Sequence, residues 1–225
     1  MFKTVKKKLM ARGASRHTGQ AALLGRFNKD EDGVAAVEFA LLAPLMLTLM
    51  LGALEVTQSI WADGKVEQAT STIGDLVSRT PLMSDPEFKS LGAAGPLILR
   101  PNPQNDLKFI VTSVIGCRVD PGDPDSKLDY YVLWSRSWQG DAVSGSPYSR
   151  DQKFTKQPES LDILDGDTLI VTEGTYNYEP TIARKVGQTW EMGGYAFHQP
   201  RDKSKRISYP GVEAATMKTC DDFRA

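Results

Sequence analysis

The sequence predicts an α+β protein in which one long N-terminal helix, membrane-spanning in its first half, packs against a small antiparallel β-sheet. Three observations predict this fold: an apolar run over residues 34–56, apolar residues at helical spacing up to about residue 80, and strand-like segments from residue 107 onward. The 225 residues include 40% hydrophobic and 24% charged side chains, a composition that excludes wholesale disorder and a polytopic membrane protein.

Charge is divided unevenly along the chain. Residues 1–33 carry eight basic and three acidic side chains, whereas residues 34–225 carry 19 basic and 25 acidic ones. The acidic body fits nucleic-acid binding poorly, because phosphate recognition needs a concentrated positive surface. Basic residues before an apolar run also predict, by the positive-inside rule, a cytoplasmic leader over residues 1–33 and an extracytoplasmic body from residue 57 onward.

The apolar run over residues 34–56 is long enough to cross a bilayer. As a helix it rises about 34 Å, against roughly 30 Å for a hydrocarbon core. It is longer than the apolar core of about 7–15 residues in a cleavable signal peptide, and it lacks an A-x-A-like cleavage site. Its only charged side chains are Glu38 and Glu55. Glu38 either reaches the membrane boundary, or is neutral, or serves a function within the run.

Gly33 ends the polar leader, the apolar run starts at Val34, Glu38 and Phe39 are its fifth and sixth residues, and Pro44 follows. This arrangement resembles the signal of type IV pilin-like proteins, and specifically that of the TadE-like minor pilins of the tight-adherence (Tad, or Flp) pilus. The resemblance implies a pilin-like fold, cleavage between Gly33 and Val34 by a membrane-embedded prepilin peptidase, and a role for Glu38 and Phe39 in assembly. It also implies partners: other minor pilins, the major pilin and the inner-membrane assembly platform, besides membrane lipid.

The chemistry of the new N-terminus supports this spacing. Cleavage creates a positive α-amine on Val34, and the Glu38 carboxylate, one helical turn further on, can neutralise that amine in the same chain or in an adjacent subunit. Pairing lowers the cost of keeping both charges near lipid.

The helix is expected to continue through residues 57–80 as an amphipathic segment. It is expected to end near Thr80, because Pro81 disfavours α geometry in the residue before it. Pro44 removes a backbone hydrogen bond and is expected to kink the membrane half. The last turns, residues 73–79, also resemble those of TadE-like proteins. The apolar residues expected to face the domain recur at three- to four-residue steps, apart from a six-residue gap bridged by Asp63-Gly64: Val56, Ile60, Val66, Ala69, Ile73, Leu76 and Val77.

Residues 81–225 are expected to form the extracytoplasmic pilin-like domain. Residues 81–106, rich in Pro, Gly, Asp and Asn, predict a linker with one short helix around Glu87–Leu91. Residues 139–166 predict loops, and residues 175–180 resemble the Tyr-x-Tyr-x-Pro segment of TadE-like proteins. Strands are predicted at Leu107–Ile115 and Leu128–Arg136, paired as an antiparallel hairpin, at Thr168–Tyr178, and near Thr189–Phe197.

Cys117 and Cys220 are the only cysteines. Outside the cytoplasm they admit one intramolecular disulfide, worth about 4–5 kcal/mol in the chain-entropy model; the alternative is a pair of buried free thiols. The predicted compartment favours the disulfide. Because residues 201–225 contain few large apolar side chains, the tail is expected to depend on this bond rather than on burial.

No catalytic or cofactor-binding constellation can be assembled from the sequence. His198 is the only histidine after the leader, which leaves neither a two-histidine metal site nor a Ser-His dyad, and the phosphate-binding glycine motifs are absent. Asp120, Asp123, Asp125 and Asp129 do not match the EF-hand spacing, so a solvated turn is favoured over a calcium site. For the aromatic residues core filling is favoured over a recognition surface: Trp134, Trp138, Trp190, Tyr130, Tyr131, Tyr176, Tyr178 and Tyr195.

The resulting hypothesis is a non-enzymatic minor pilin, or pseudopilin, without metal or cofactor, that is processed after Gly33 and takes part in assembly, initiation or the tip of a Tad-type pilus used for surface attachment. Its expected location is the inner membrane, with the N-terminus in the cytoplasm and the domain in the periplasm, or outside the cell after assembly. The alternative is an uncleaved single-pass envelope protein whose outer domain senses or binds a ligand. An enzyme anchored by residues 34–56 is a third alternative, which no catalytic residues support.

Overall fold

The computed structural model describes residues 32–102, 106–156, 163–180, 187, 189–202, 205–213 and 215–225. The chain divides into two compact units, Met1–Leu54 and Glu55–Ala225, and the long helix α1 (Asp32–Ser78) contributes residues to both. Of the leader expected over residues 1–33, residues 1–31 lie outside the described residues.

Helix α1 is a single α-helix of 47 residues with Pro44 inside it. The hydroxyl of Thr48 donates to the carbonyl oxygen of Pro44 at 2.7 Å. The helix ends at Ser78, close to the end expected ahead of Pro81, and the backbone N–H of Arg201 donates to the carbonyl of Ser78 at 2.8 Å. That bond satisfies one of the carbonyl groups left without a partner at a helix C-terminus. The kink at Pro44 stays a prediction.

The body contains an antiparallel sheet of six strands. The strands expected from the sequence are present, and the hairpin of the first two is confirmed. The bounds are β1 Lys108–Arg118, β2 Leu128–Gln139, β3 Ala142–Gly145, β4 Lys153–Phe154, β5 Thr168–Tyr178 and β6 Trp190–His198. The sheet order is β3-β2-β1-β5-β6, with β4 paired to β2. The short strands β3 and β4 fall within residues 139–166, which were expected to be rich in loops and for which no strand was predicted.

The segment expected to be a linker is more ordered than its composition indicates. It contains two helices, α2 (Asp85–Gly92) and α3 (Ala94–Leu99), in place of one, and Phe88 and Leu99 are completely buried. The start of α2 is a capping box: the backbone N–H of Ser84 donates to the Glu87 carboxylate at 2.9 Å, and the Ser84 side chain accepts from the Glu87 N–H. The sequence carries this Ser-x-x-Glu signal, which outweighs the surrounding Pro and Gly.

Apolar side chains cover both faces of the sheet. On one face, residues of α1 pack with β1, β2, β5, the two short helices and the tail; on the other face a smaller cluster surrounds Val132 and Phe154. The prediction of which residues of α1 pack against the body is partly wrong. Val56 and Ile60 are 54% and 68% exposed. The buried apolar positions of the helix are Ala62, Val66, Ala69, Ile73 and Val77. Glu55 is buried on the same side of the helix, so Val56 and Ile60 are exposed because they lie on another side and not because packing starts later.

The C-terminal tail is docked by burial, contrary to expectation. Ile207, Tyr209 and Met217 are buried, and the indole N–H of Trp134 donates to the Ile207 carbonyl at 2.7 Å. Ser208 exchanges backbone hydrogen bonds with the segment that follows α1. A short helix, α4 (Cys220–Arg224), ends the chain. The tail has few large apolar residues, but it buries most of them, which is why composition underestimated its anchorage.

Candidate membrane and assembly helix

The part of α1 in the first unit exposes its apolar side chains in every direction. The positions fall on all sides of a helix with 3.6 residues per turn, so no polar face is left for water. An apolar surface of this kind needs lipid or other apolar helices around it. By length and composition the helix can cross a membrane. Its exposed large side chains are Val34, Val37, Phe39, Leu41, Leu42, Leu45, Met46, Leu47, Leu49, Met50, Leu51 and Leu54.

The residues expected to direct processing and assembly lie in the first two turns of this helix. Among the described residues, which begin at Asp32, no atom lies within 4 Å of the position that a Cβ on Gly33 would take. Val34, Glu38 and Phe39 are all exposed. Glu38 follows Val34 by four residues, which places both on one side of the helix, one turn apart. Their roles in processing and assembly stay predictions.

Within the second unit, α1 lies close against the sheet at two glycines. A Cβ on Gly174 of β5 would lie 1.9 Å from the hydroxyl oxygen of Thr70, and one on Gly194 of β6 would lie 3.2 Å from the Cα of Glu67. Gly174 and Gly194 are register partners on neighbouring strands. The missing side chains let the helix approach the two strands more closely than a Cβ at Gly174 would allow.

The last turns of α1 are held by an ionic cluster around Asp75. Its carboxylate accepts from Arg79 at 2.6 Å and from Arg201 at 2.7 Å. The hydrogen bond from Arg79, with the charge of Arg201, holds the pKa of Asp75 below its ordinary value. The neighbouring His198 faces Gly74, and burial lowers the pKa of its imidazole. Asp75 therefore favours the folded state at neutral pH, and His198 is more easily protonated in the unfolded chain.

The expected disulfide between Cys117 and Cys220 is present, with the two Cα atoms 5.3 Å apart. It joins the end of β1 to the start of α4. Around it, the guanidinium of Arg224 donates to the Asp165 carboxylate at 2.6 Å, and the rings of Tyr131 and Phe223 stack at 4.3 Å. A shallow cavity of about 210 Å³ lies beside these residues. The disulfide is thus one part of a packed junction between the tail and the sheet.

The acidic loop after β1 has the geometry of a turn. The Asp120 carboxylate accepts from the backbone N–H of Gly122 at 2.9 Å, and the Asp123 carboxylate accepts from that of Asp125 at the same distance. Asp129 is paired with Lys153 at 2.7 Å. Among the described residues there is no group of three His, Cys, Asp or Glu side chains placed to hold a metal ion. The loop's carboxylates therefore support the turn, as the sequence favoured.

Most of the aromatic residues considered as a recognition surface are core residues. Trp134, Trp138, Tyr130, Tyr176 and Tyr178 are buried, and burial raises the pKa of Tyr176 to about 12. Two of the set differ, because Trp190 and Tyr195 on β6 are exposed.

The contacts of α1 with the sheet glycines and with His198 were not expected from the sequence. Their signal was the pair of small residues in β6, Gly193-Gly194, which is unusual inside a strand.

A single long apolar helix near the N-terminus, continued into a helix packed on an antiparallel sheet, fits a single-pass membrane protein. Residues 33–74 match the family model described as TadE-like protein. The match covers most of α1 and confirms the resemblance found at Gly33–Pro44; it supports a TadE-like protein of the Tad pilus system. No curated protein and no solved structure matches the chain. The resemblance of residues 175–180 lies outside the matched segment and stays a prediction.

Proposed function

We propose that the chain is a minor pilin of a Tad-type pilus that is processed after Gly33. Through its N-terminal helix it is incorporated into the pilus or takes part in the initiation of pilus assembly. The observation that carries the proposal is the position of Gly33 at the start of a helix whose large apolar side chains are exposed up to Leu54, inside the segment that matches the TadE-like family. A membrane anchor alone requires only an apolar helix. It does not require a glycine at its border and a carboxylate one turn inside it.

Glu38 is the residue with an assembly role in this proposal. After cleavage, the α-amine of Val34 and the carboxylate of Glu38 lie within one turn of the same helix, so either can compensate the other's charge within the chain or between chains. In lipid an unpaired carboxylate costs about 2.5–3.5 kcal/mol on insertion scales, so pairing favours helices packed in register. Phe39, exposed beside Glu38, adds apolar contact area at the same level.

The body has a structural rather than a catalytic part in this proposal. TadE-like proteins are a pilus-associated structural family. Within the second unit, α1 packs closely on the sheet at Gly174 and Gly194 and is held by the ion pairs of Asp75. The folded body therefore moves with this part of the helix. The partners are the prepilin peptidase, other minor pilins, the major pilin, the inner-membrane assembly platform and membrane lipid. The expected location is the inner membrane, with the body in the periplasm until assembly.

Intact-mass measurement of the chain, from cells with and without the prepilin peptidase, tests the proposal. The expected product contains residues 34–225 with the peptidase and the whole chain without it. Gly33→Leu should block cleavage, because the added side chain stands beside the scissile bond. Gly52→Leu is the matched control, since Gly52 also lies in the exposed apolar helix with no atom within 4 Å of its Cβ position. An intact leader in peptidase-positive cells would instead support the uncleaved envelope protein.

A further inference from the structure

The second unit exposes large apolar side chains near the level of Ala62, the first buried apolar residue of α1. Trp61, Leu97 and Trp190 are 49%, 60% and 39% exposed. They come from three different elements, namely α1, α3 and β6. We call these three residues the girdle. Exposed tryptophan is uncommon on a surface that faces only water, and the four tryptophans of the chain divide evenly between the girdle and the core.

Contacts of Lys65 join Trp61 to the end of α3. The Lys65 ammonium lies 4.5 Å from the centre of the Trp61 ring and donates to the carbonyl of Ile98 at 2.9 Å. Leu97 precedes Ile98 in α3, so the helix turn that carries Leu97 lies next to the same cation. The ammonium has three donors, and donors beyond the one used by Ile98 can bind an anionic group.

The register of β6 along α1 places Trp190 at a similar level. Gly194 faces Glu67 of the helix, and His198 faces Gly74. Four residues of β6, from Gly194 to His198, therefore cover the same length as about seven residues of α1. Trp190 precedes Gly194 by four residues, so it lies at the level of about residues 60–63 of α1. The partner of Trp190 across the sheet is Tyr178, whose ring centre is 6.3 Å away.

The distance from the apolar run to the girdle matches the thickness of a lipid headgroup layer. Trp61 follows Val56, the last residue of the apolar run, by about 7.5 Å along the helix. A bilayer adds about 5–8 Å of headgroup region beyond its hydrocarbon core on each side. Ile60, 68% exposed, continues the apolar surface between the two. Tryptophan concentrates at this depth because its ring is apolar and its N–H is polar.

We propose that Trp61, Leu97 and Trp190 are a membrane-contact surface that rests in the phospholipid headgroup layer, with Lys65 against lipid phosphate. The proposal rests on the proposed function, in that it requires the membrane insertion of residues 34–56. It adds a second membrane contact made by the body itself, through elements far apart in sequence. Lipid is favoured over a protein partner because Val56 and Ile60, the exposed apolar residues of α1 just before Trp61, adjoin the girdle, and because Lys65 beside Trp61 is a cation suited to phosphate.

Tryptophan quenching in vesicles tests this surface. The full chain is reconstituted in phosphatidylethanolamine–phosphatidylglycerol vesicles, with lipids brominated either near the headgroup or deep in the acyl chain. The signals of Trp61 and Trp190 are obtained as differences from Trp61→Phe and Trp190→Phe, because Trp134 and Trp138 are buried and give a constant background. Shallow bromine should quench both signals about twofold, and iodide in the water should have little effect.

Two added tryptophans are the controls. Leu45→Trp reports insertion of the apolar helix and should be quenched by deep bromine. Leu164→Trp reports an exposed apolar position near the opposite end of β5, and it should be quenched by iodide and not by lipid. Leu97→Trp provides a gain-of-signal test of the girdle and should behave as Trp61 does.

Each result supports or overturns the inference. Shallow quenching of Trp61, Trp190 and Leu97→Trp supports it. Quenching of these positions by iodide, with Leu45→Trp still quenched by deep bromine, overturns it while leaving the proposed function intact. Shielding that appears only when other pilus proteins are added also overturns it, in favour of a protein partner. Failure of Leu45→Trp to reach lipid overturns both proposals, whereas failure of leader cleavage alone affects only the proposed function.

Discussion

Gly174→Ala tests whether the close approach of α1 to the sheet requires missing side chains. The new Cβ would lie 1.9 Å from the Thr70 hydroxyl oxygen and 3.1 Å from the Thr70 Cβ. An ordinary contact is about 3.5–4.0 Å, so helix and strand must separate or Thr70 must be displaced. Overpacking of this kind costs about 1–3 kcal/mol, while replacing a strand glycine returns about 0.5–1 kcal/mol. The expected net effect is a loss of about 1–2 kcal/mol in the free energy of unfolding.

Urea unfolding of the full chain in detergent, followed by the fluorescence of the buried tryptophans, measures this loss. Thr70→Ala removes the clashing oxygen, so the double variant should recover most of the stability lost by Gly174→Ala alone. Gly145→Ala, in β3 with no atom within 4 Å of its Cβ position, is the control and should change little. A Gly174→Ala chain as stable as the wild type, or no recovery with Thr70→Ala, would show that the close approach of α1 does not depend on the missing side chain.

Three further predictions concern assembly, the disulfide and pH. Glu38→Ala should leave membrane insertion and cleavage intact but lower pilus yield severalfold, because the amine of Val34 loses its partner; normal pilus counts by electron microscopy would contradict this. Cys220→Ser should cost at most about 4–5 kcal/mol in thermal or urea unfolding and expose mainly α4 to protease, because the buried residues of the tail keep it docked. The unreduced, unfolded wild type should show no titratable thiol. Between pH 7 and pH 5 the free energy of unfolding should fall, because burial lowers the pKa of His198 in the folded chain and the unfolded chain takes up the proton first. His198→Asn should flatten that slope, and an unchanged slope would contradict the assignment.

The strands and the long helix follow from local patterns, and these were predictable. β1, β2 and β5 are runs of β-branched and aromatic residues, and each lies within about three residues of its expected bounds at either end. The helix end was predictable because Pro81 restricts the residue before it. The family resemblance was carried by spacing alone, at Gly33 and Glu38, and needed no tertiary structure.

What was missed depends on contacts between distant segments. At 3.6 residues per turn, Val56 and Ile60 lie about 80° and 120° around the helix from Val66. They are exposed because the body packs on the side of α1 that carries Val66 and the buried Glu55, and an apolar spacing alone does not show which side that is. β3 and β4 are four and two residues long, too short for a period-two pattern, and they exist because β2 offers an edge. The tail docks because Trp134 and the segment after α1 supply partners that composition cannot show.

The Cys117–Cys220 bond also determines how far the chain can be drawn out by force. Pulling between α1 and the tail would lengthen an unfolded chain by about 3.4 Å per residue. The bond closes 103 residues into a loop that holds all the strands after β1, and this removes about 350 Å of possible extension. When force is applied through α1, the sheet can therefore unfold while most of the body's residues stay inside the disulfide-closed loop and are not extended. The strands then stay close to one another and can refold when the force is released.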